Sequence, residues 1–360
     1  MFAVILAGGA GTRLRPLTYA RRKELVPLAN RPLLEYRLLN LKRHGVEDIV
    51  LACSQGMREV EDQFGDGSEL GVRLRYAYED RPLGSGRAVK EAARAAGATG
   101  TLVVCNGDIL TDIDLTAMLE LHRRTGAALS ISLSRVEDPW HFGVVAVDDE
   151  LRIERFVEKP PQGDEPSNLI NAGTWLWEPE VLDRIPDDDT AIRDGFSERV
   201  LFPGIIAAGR RVQGFEEGLW VDVGSPERYL RATRLLLERQ SKQMGRPVVF
   251  EGEVQAEGVE FVGDVLVGAG TRIERGCRIT GPTVIGRDTV VGAGTMIESS
   301  VIWEEARIGS GACISGSILG AYAGIGDRAV VIDAVLGNGA EVQEGHELEP
   351  GARVMPEDRV

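Results

Sequence analysis

Apolar runs alternate with amphipathic segments over the first two thirds of the chain. Phe2 to Leu6, Ile49 to Ala52 and Thr101 to Cys105 are short and continuously apolar, the pattern of strands. Leu33 to His44 is amphipathic, started by Pro32 and ended by Gly45, which predicts a helix. Strands alternating with helices imply an α/β layer with a mostly parallel sheet. The last helical pattern runs from Pro226 to Glu238. Arg239 to Pro247 is then polar and punctuated by Gly245 and Pro247, which predicts a boundary between one domain over residues 1–240 and another over 248–360.

Beyond about residue 250 the helical patterns vanish and glycine recurs every few residues. Stepping by six from Val267 lands on Ile273, Ile279, Ile285, Val291 and Ile297; after a phase slip near Trp303 the period resumes at Ile308 and Ile314, at Ile325 and Val331, and at Leu336 and Val342. A period of six fits neither a helix nor simple alternation. It fits a parallel β-helix whose flat faces are one hexapeptide wide, and a disordered glycine-rich tail would not keep aliphatic residues in register. Each inward aliphatic side chain should stack on its counterpart in the next coil, its burial contributing roughly 1.5 to 3 kcal/mol. Gly268, Gly286, Gly292 and Gly309 are expected to relax the backbone at the corners.

Composition narrows the function. With 43% hydrophobic and 27% charged residues over 360 positions, wholesale disorder is excluded and two or three domains fit. Forty-one Lys and Arg against 56 Asp and Glu leave a formal charge of -15, which repels polyanions and argues against non-specific nucleic-acid binding. Any phosphate site must therefore be built locally. Cys53, Cys105, Cys277 and Cys313 show neither a C-x-x-C pair nor metal-ligand spacing, so free thiols in a reducing cytoplasm are expected. Met1 to Ala7 is apolar but lacks a basic leader and is broken by Gly8 and Gly9, and no run approaches membrane-spanning length. A soluble cytoplasmic protein is the expectation.

The local phosphate site has a candidate. Strand Phe2 to Leu6 runs into Ala7-Gly8-Gly9-Ala10-Gly11-Thr12-Arg13, a turn whose backbone N–H groups can cradle phosphate oxygens with no side chain in the way. Its spacing matches neither a P-loop, which ends in Gly-Lys-Ser/Thr, nor a dinucleotide fingerprint, which needs a small residue where Leu14 sits. Arg13 directly after the glycines and Lys23 ten residues on would bring two cations to one phosphate chain. A tight turn with solvated cations is the alternative.

The longer string Leu6 to Thr18, with Lys23 and Val26 to Pro32 after it, resembles the signature of the sugar nucleotidyltransferases, also called nucleotide-sugar pyrophosphorylases. The resemblance continues through Pro82 to Gly86, Asn106-Gly107-Asp108, Phe142 to Val145, Phe156 to Pro160, Asn168 to Gly173 and Trp220 to Gly224, and the hexapeptide tail is shared with long-form members. It implies a Rossmann-like α/β nucleotidyltransferase domain followed by a left-handed parallel β-helix. One departure is visible: Arg22 and Glu24 flank Lys23, where many guanylyltransferases of the family have prolines, a context closer to the thymidylyltransferase branch.

The implied reaction joins a nucleoside triphosphate to a hexose 1-phosphate and releases pyrophosphate. The attacking phosphate oxygen is already an anion, so positioning and charge neutralisation by Mg2+ and fixed cations are what the chemistry demands. On the resemblance, Leu6, Ala7, Gly8, Gly9, Gly11, Thr12, Arg13, Lys23, Pro82, Gly84 and Asp108 face the nucleotide. Asp108 and Asp222 hold the metal, although either aspartate taken alone is more often a strand-end or turn residue. Lys159 pairs with the sugar phosphate, Glu158 accepts from a sugar hydroxyl, Asn171 offers a donor and an acceptor, and Gly143 lets its backbone approach the sugar; Asp222 is shared with this side. A surface ion pair is the alternative for Glu158 and Lys159.

Glu79 stands five residues before Gly84, where relatives acting on thymine or uracil nucleotides carry glutamine. Two carboxylate acceptors match the adjacent N1–H and N2 donors of guanine, which favours GTP unless Glu79 is a solvated loop carboxylate. GTP and mannose 1-phosphate are therefore the favoured pair, with thymidylyl-, adenylyl- or uridylyl-transfer to glucose 1-phosphate as the alternative. A non-catalytic regulatory homologue is the competing class, opposed by the presence of Arg13, Lys23, Asp108, Lys159 and Asp222. The β-helix contains no histidine before His346, so it is read as an oligomerisation and support element rather than an acyltransferase.

Overall fold

The computed structural model describes every residue except Gln55, Gly56, Asp80, Pro82, Arg193, Asp194 and Glu217. The chain's contacts divide it into two compact units, Met1–Gly8 with Leu34–Trp220, and Gly9–Leu33 with Val221–Val360.

The first unit is built on a nine-stranded sheet: β1 (Phe2–Ala7), β2 (Asp48–Cys53), β3 (Arg73–Tyr78), β4 (Leu102–Asn106), β5 (Leu129–Arg135), β6 (Gly143–Val147), β7 (Ile153–Glu158), β8 (Leu169–Trp177) and β9 (Val212–Glu216). Their order is β7-β6-β8-β4-β1-β2-β3, with β5 pairing β8 and β9. The three apolar runs seen in the sequence are β1, β2 and β4, which pair in parallel, with β3 continuing the set. They are apolar throughout because layers cover both faces: Val4, Ile5, Val103 and Val104 are fully buried. Beyond β4 most pairings are antiparallel, β8 running against β4, β5 and β6, and β7 against β6, while β9 pairs β5 in parallel. The core on this side is aromatic, with Phe202 edge-on to Phe156 and Trp175, each at 5.5 Å. The helix Leu33–Arg43 falls where Pro32 and Gly45 place it.

In the second unit the helix Pro226–Met244 is capped by Ser225, whose side chain accepts from the Arg228 N–H, and is closed by Gly245 in the left-handed region. It runs past Glu238 through residues expected to be linker. Arg239, Gln240, Lys242, Gln243 and Met244 are unbranched, polar or flexible, and lose little freedom in a helix, so polarity marks an exposed face rather than the helix end.

After the helix, short strands form three parallel sheets of seven, five and five strands, the architecture of a hexapeptide β-helix and consistent with left-handed winding. Every predicted aliphatic position is buried, the most exposed being Ile325 at 4%. Register explains the phase slip: Ile285 pairs with Val267, eighteen residues earlier, whereas Ile302 pairs with Ile285, seventeen earlier. The corner glycines act differently from expectation. A Cβ at Gly268, Gly286, Gly292 or Gly309 would lie 2.4 to 2.6 Å from backbone nitrogen of the next coil, so close stacking, not backbone freedom, selects glycine there. All four cysteines are free thiols, and among the described residues no helix is long and apolar enough to cross a membrane.

Candidate active site

Leu6 and Ala7 end β1, where the Leu6 carbonyl accepts from Gly107 N–H at 3.0 Å. Gly8 passes close to Ser54, whose nitrogen would lie 3.3 Å from a Cβ, whereas a Cβ at Gly9 would meet nothing. Gly11 sits at φ 58°, opening the turn Thr12–Leu14, and Thr18 Oγ1 donates to its carbonyl at 2.7 Å. A side chain at Gly11 would be strained in φ and would press on Thr18 Cγ2 at 3.0 Å, so this position requires glycine.

The second unit gathers three of the residues singled out by sequence. Asp222 Oδ1 lies 3.6 Å from Lys23 Nζ, and Oδ2 lies 3.6 Å from Arg13 Nη2 and 2.9 Å from Arg228 Nη1. Arg13 is 65% exposed, whereas Lys23 is 7% exposed and Asp222 13%. Burial strengthens this cluster relative to a surface ion pair, and a carboxylate ringed by cations is a natural landing place for further oxygen anions. Gly224 makes the ring possible: a Cβ there would lie 2.8 Å from Arg13 Nη2 and 2.9 Å from both Asp222 oxygens.

The first unit holds the remaining candidates. Half-buried Asp108 follows β4 in the turn before the strand Ile109–Thr111. Gly143 opens β6 opposite Glu158, and a Cβ there would meet Glu158 Oε2 at 2.8 Å and Phe156 Cζ at 2.5 Å, so glycine makes room for the carboxylate. Lys159 follows β7 at φ 50°, an uncommon conformation for a non-glycine residue, fixed by its N–H donating to the Phe142 carbonyl at 2.9 Å. Its Nζ stands 3.9 Å from Glu158 Oε1 and the side chain is 58% exposed. The Phe142 ring meets Trp220 edge-on at 5.4 Å, adding an apolar wall.

Two expectations change in detail. Asn171 does not offer both a donor and an acceptor, because its Oδ1 already accepts from Gly173 N–H at 3.1 Å and Trp175 Nε1 at 2.8 Å, leaving the amide NH2. Glu79 follows β3, its Oε2 accepting from Leu83 N–H at 3.0 Å, so one carboxylate oxygen is engaged within the chain. Burial raises the Glu79 carboxyl above the usual range, partly offset by that N–H. Gly84 begins the helix Gly84–Ala96, and Pro82 lies outside the described residues.

Among the described residues no three or more His, Cys, Asp or Glu side chains gather into a group able to hold a metal ion. Carboxylate oxygens at Asp108 or Asp222 suit a hard divalent cation that would take its other ligands from phosphate and water. A groove of about 620 Å3 lies elsewhere in the second unit, lined by Arg231, Arg234, Arg353 and their neighbours, and none of the predicted site residues lines it.

The chain matches known proteins along most of its length. The family described as nucleotidyl transferase matches residues 2–239, and the GMPPB C-terminal domain matches residues 261–360. The chain belongs to the nucleotidyl transferase family. Within it the chain is a sugar nucleotidyltransferase. It is 37% identical to a mannose-1-phosphate guanylyltransferase of Mycobacterium tuberculosis over 85% of this chain and 80% of the relative. It is 35% identical to a UTP–glucose-1-phosphate uridylyltransferase of Synechocystis over 85% and 84%, and 34% identical to mannose-1-phosphate guanylyltransferase 1 of Arabidopsis thaliana over 84% and 79%. A crystal structure of a putative glucose-1-phosphate thymidylyltransferase from Bacillus anthracis shares the fold, with a TM-score of 0.58 at 24% identity over 65% of this chain and 95% of that one. Nucleotidyltransferases of this kind generally use a divalent metal.

Sequence reasoning did not assign Gly224, Arg228, Phe142 or Trp220 to the site. Gly224, Phe142 and Trp220 lie inside the motifs Trp220 to Gly224 and Phe142 to Val145, so their signal is present in the sequence without a role attached. Arg228 carried none, because its partner is reached only when the first turn of its helix faces Asp222.

Proposed function

We propose that the protein transfers a guanylyl group from GTP to mannose 1-phosphate, or to a closely related hexose 1-phosphate, forming a GDP-sugar and pyrophosphate. The convergence on Asp222 of Arg13, at the end of the glycine-rich turn, and Lys23, ten residues on, carries this proposal. The backbone from Leu6 to Thr12 receives the triphosphate, and Arg13 and Lys23 neutralise its oxygens. Lys159 holds the sugar phosphate, Glu158 and the Asn171 NH2 hold sugar hydroxyls, and Gly143 keeps the backbone close. A sugar-phosphate oxygen bonds to the α-phosphorus as the bond to the β-phosphate bridging oxygen breaks, and pyrophosphate leaves with that electron pair. Asp108 and Asp222 would each offer carboxylate oxygens to Mg2+, which would supply charge neutralisation at the phosphates. Catalysis is assigned to residues 1–240 and support with homo-oligomer formation to the β-helix of 248–360, in a cytoplasmic enzyme without nucleic-acid or membrane partners.

Guanine is favoured by the acceptor that Glu79 retains and by the guanylyltransferases among the relatives. Uridylyl- or thymidylyl-transfer to glucose 1-phosphate is the second reading, favoured by the Synechocystis relative and by Arg22 and Glu24 around Lys23. Pyrophosphate release over a grid of the four common nucleotides with dTTP and several hexose 1-phosphates, with and without a chelator, decides between them. GTP with mannose 1-phosphate should be fastest and chelation should stop it; no release with any pair would overturn the proposal.

A further inference from the structure

The phase slip at Trp303 has a structural counterpart. Gly268, Gly286, Trp303, Gly320 and Gly337 occupy equivalent corners, each donating its N–H to the carbonyl of an aliphatic strand residue in the next coil, at 2.7 to 2.9 Å. Glycine fills this corner in these four coils and tryptophan in the coil between Gly286 and Gly320, while Glu251 makes the same bond to Val267 at 2.9 Å in the first coil. Trp303 is only 1% exposed. The Arg21 guanidinium lies over its ring at 5.0 Å from the centroid, and its Nε1 donates to Tyr229 Oη at 3.1 Å; Tyr229 Oη in turn donates to the Pro27 carbonyl. The adjacent Glu304 pairs through both oxygens with Arg21, one contact at 3.4 Å and the other shorter. Burial alone would raise the Glu304 carboxyl, but the Arg21 guanidinium outweighs it and holds the group below its usual range.

Arg21 and Pro27 bracket Lys23 within the segment that also carries Gly11 and Arg13. Arg353 Nη1 adds donations to the Arg15 and Arg13 carbonyls at 2.6 and 3.3 Å, and Asn30 Nδ2 donates to Glu251 Oε2 at 2.9 Å. Sequence neighbours alone would leave this segment a glycine-bearing loop. We propose that Trp303 and Glu304 are positioning residues for nucleotide binding, gripping Arg21 and, through Tyr229, Pro27, so that the β-helix sets where Lys23 and Arg13 stand. The proposal rests on the nucleotidyl-transfer reading.

The test uses the full chain and equilibrium titration with a fluorescent GTP analogue, alongside steady-state kinetics. Glu304→Gln keeps the side chain's shape and removes its charge. Trp303→Gly installs the residue that the four equivalent corners carry, so the β-helix is expected to fold. Each should weaken analogue binding about tenfold, while the KM for the hexose 1-phosphate changes less than about twofold. The Arg21→Gln, Glu304→Gln double variant should bind no more weakly than the weaker single variant, because both remove one contact. Wild-type nucleotide affinity in a folded Glu304→Gln chain would overturn the proposal, as would equal losses toward both substrates. If Trp303→Gly does not fold, Glu304→Gln decides alone. Failure of the wild-type chain to bind the analogue would instead strike the nucleotidyl-transfer reading.

Discussion

Gly224→Ala tests the cationic ring with a single methyl group. Gly224 does not sit at positive φ, so alanine brings no backbone strain. The added carbon would lie 2.8 Å from Arg13 Nη2 and 2.9 Å from both oxygens of Asp222. Arg13 is long and 65% exposed, and can move aside at little cost. Asp222 is short and 13% exposed, and both its oxygens are approached at once, so it must rotate and give up the 2.9 Å contact to Arg228 or the 3.6 Å contact to Lys23. A hydrogen bond to a charged group is worth about 1.5 to 3 kcal/mol, so losing one predicts a fall in kcat/KM of roughly 10- to 100-fold. Steady-state pyrophosphate release measures this, with thermal unfolding to confirm the fold. Gly204→Ala is the control: a Cβ there meets nothing within 4 Å, and alanine inside its helix should leave activity unchanged and raise stability by about 0.5 to 1 kcal/mol. Full kcat/KM in a folded Gly224→Ala chain would refute the assignment of the ring to catalysis.

Asp222→Asn should cost about 100-fold or more in kcat and also about 1 to 3 kcal/mol of stability, since it removes a negative charge from beside the nearly buried Lys23 and from Arg228; kinetics and denaturant unfolding read the two separately. Lys159→Ala should raise the KM for hexose 1-phosphate by about tenfold and leave nucleotide affinity nearly intact, because its exposed ammonium pairs only weakly with Glu158; an unchanged sugar-phosphate KM would remove its role. Glu79→Gln should lower the preference for GTP over UTP. Because burial raises the Glu79 carboxyl, lowering the pH protonates it before an ordinary glutamate, so wild-type preference for GTP should decline on mild acidification while that of Glu79→Gln stays flat; parallel profiles would show that Glu79 does not read the base.

Periodicity made much of the architecture legible. The apolar runs at Phe2 to Leu6, Ile49 to Ala52 and Thr101 to Cys105 are central parallel strands, and the hexapeptide rhythm from Val267 to Val342 is a stacked aliphatic core, because backbone hydrogen bonding and burial repeat at fixed steps and write that step into neighbouring residues. The extent of the Pro226–Met244 helix was less legible, since its last turns are exposed and leave no apolar stripe. Motif residues such as Arg13, Lys23 and Asp222 were also recognisable one by one.

Their relations were not. That Asp222 pairs with Arg228, that Gly224 leaves room for both, that the Asn171 oxygen is already taken, and that Trp303 stacks on Arg21 all depend on side chains meeting after the chain has returned on itself. Local spacing constrains dihedrals and burial over a few residues, whereas contacts between residues as distant as Arg21 and Trp303 exist only once the helix and the coils are packed. Tertiary packing therefore turned a string of familiar residues into a cluster with defined partners.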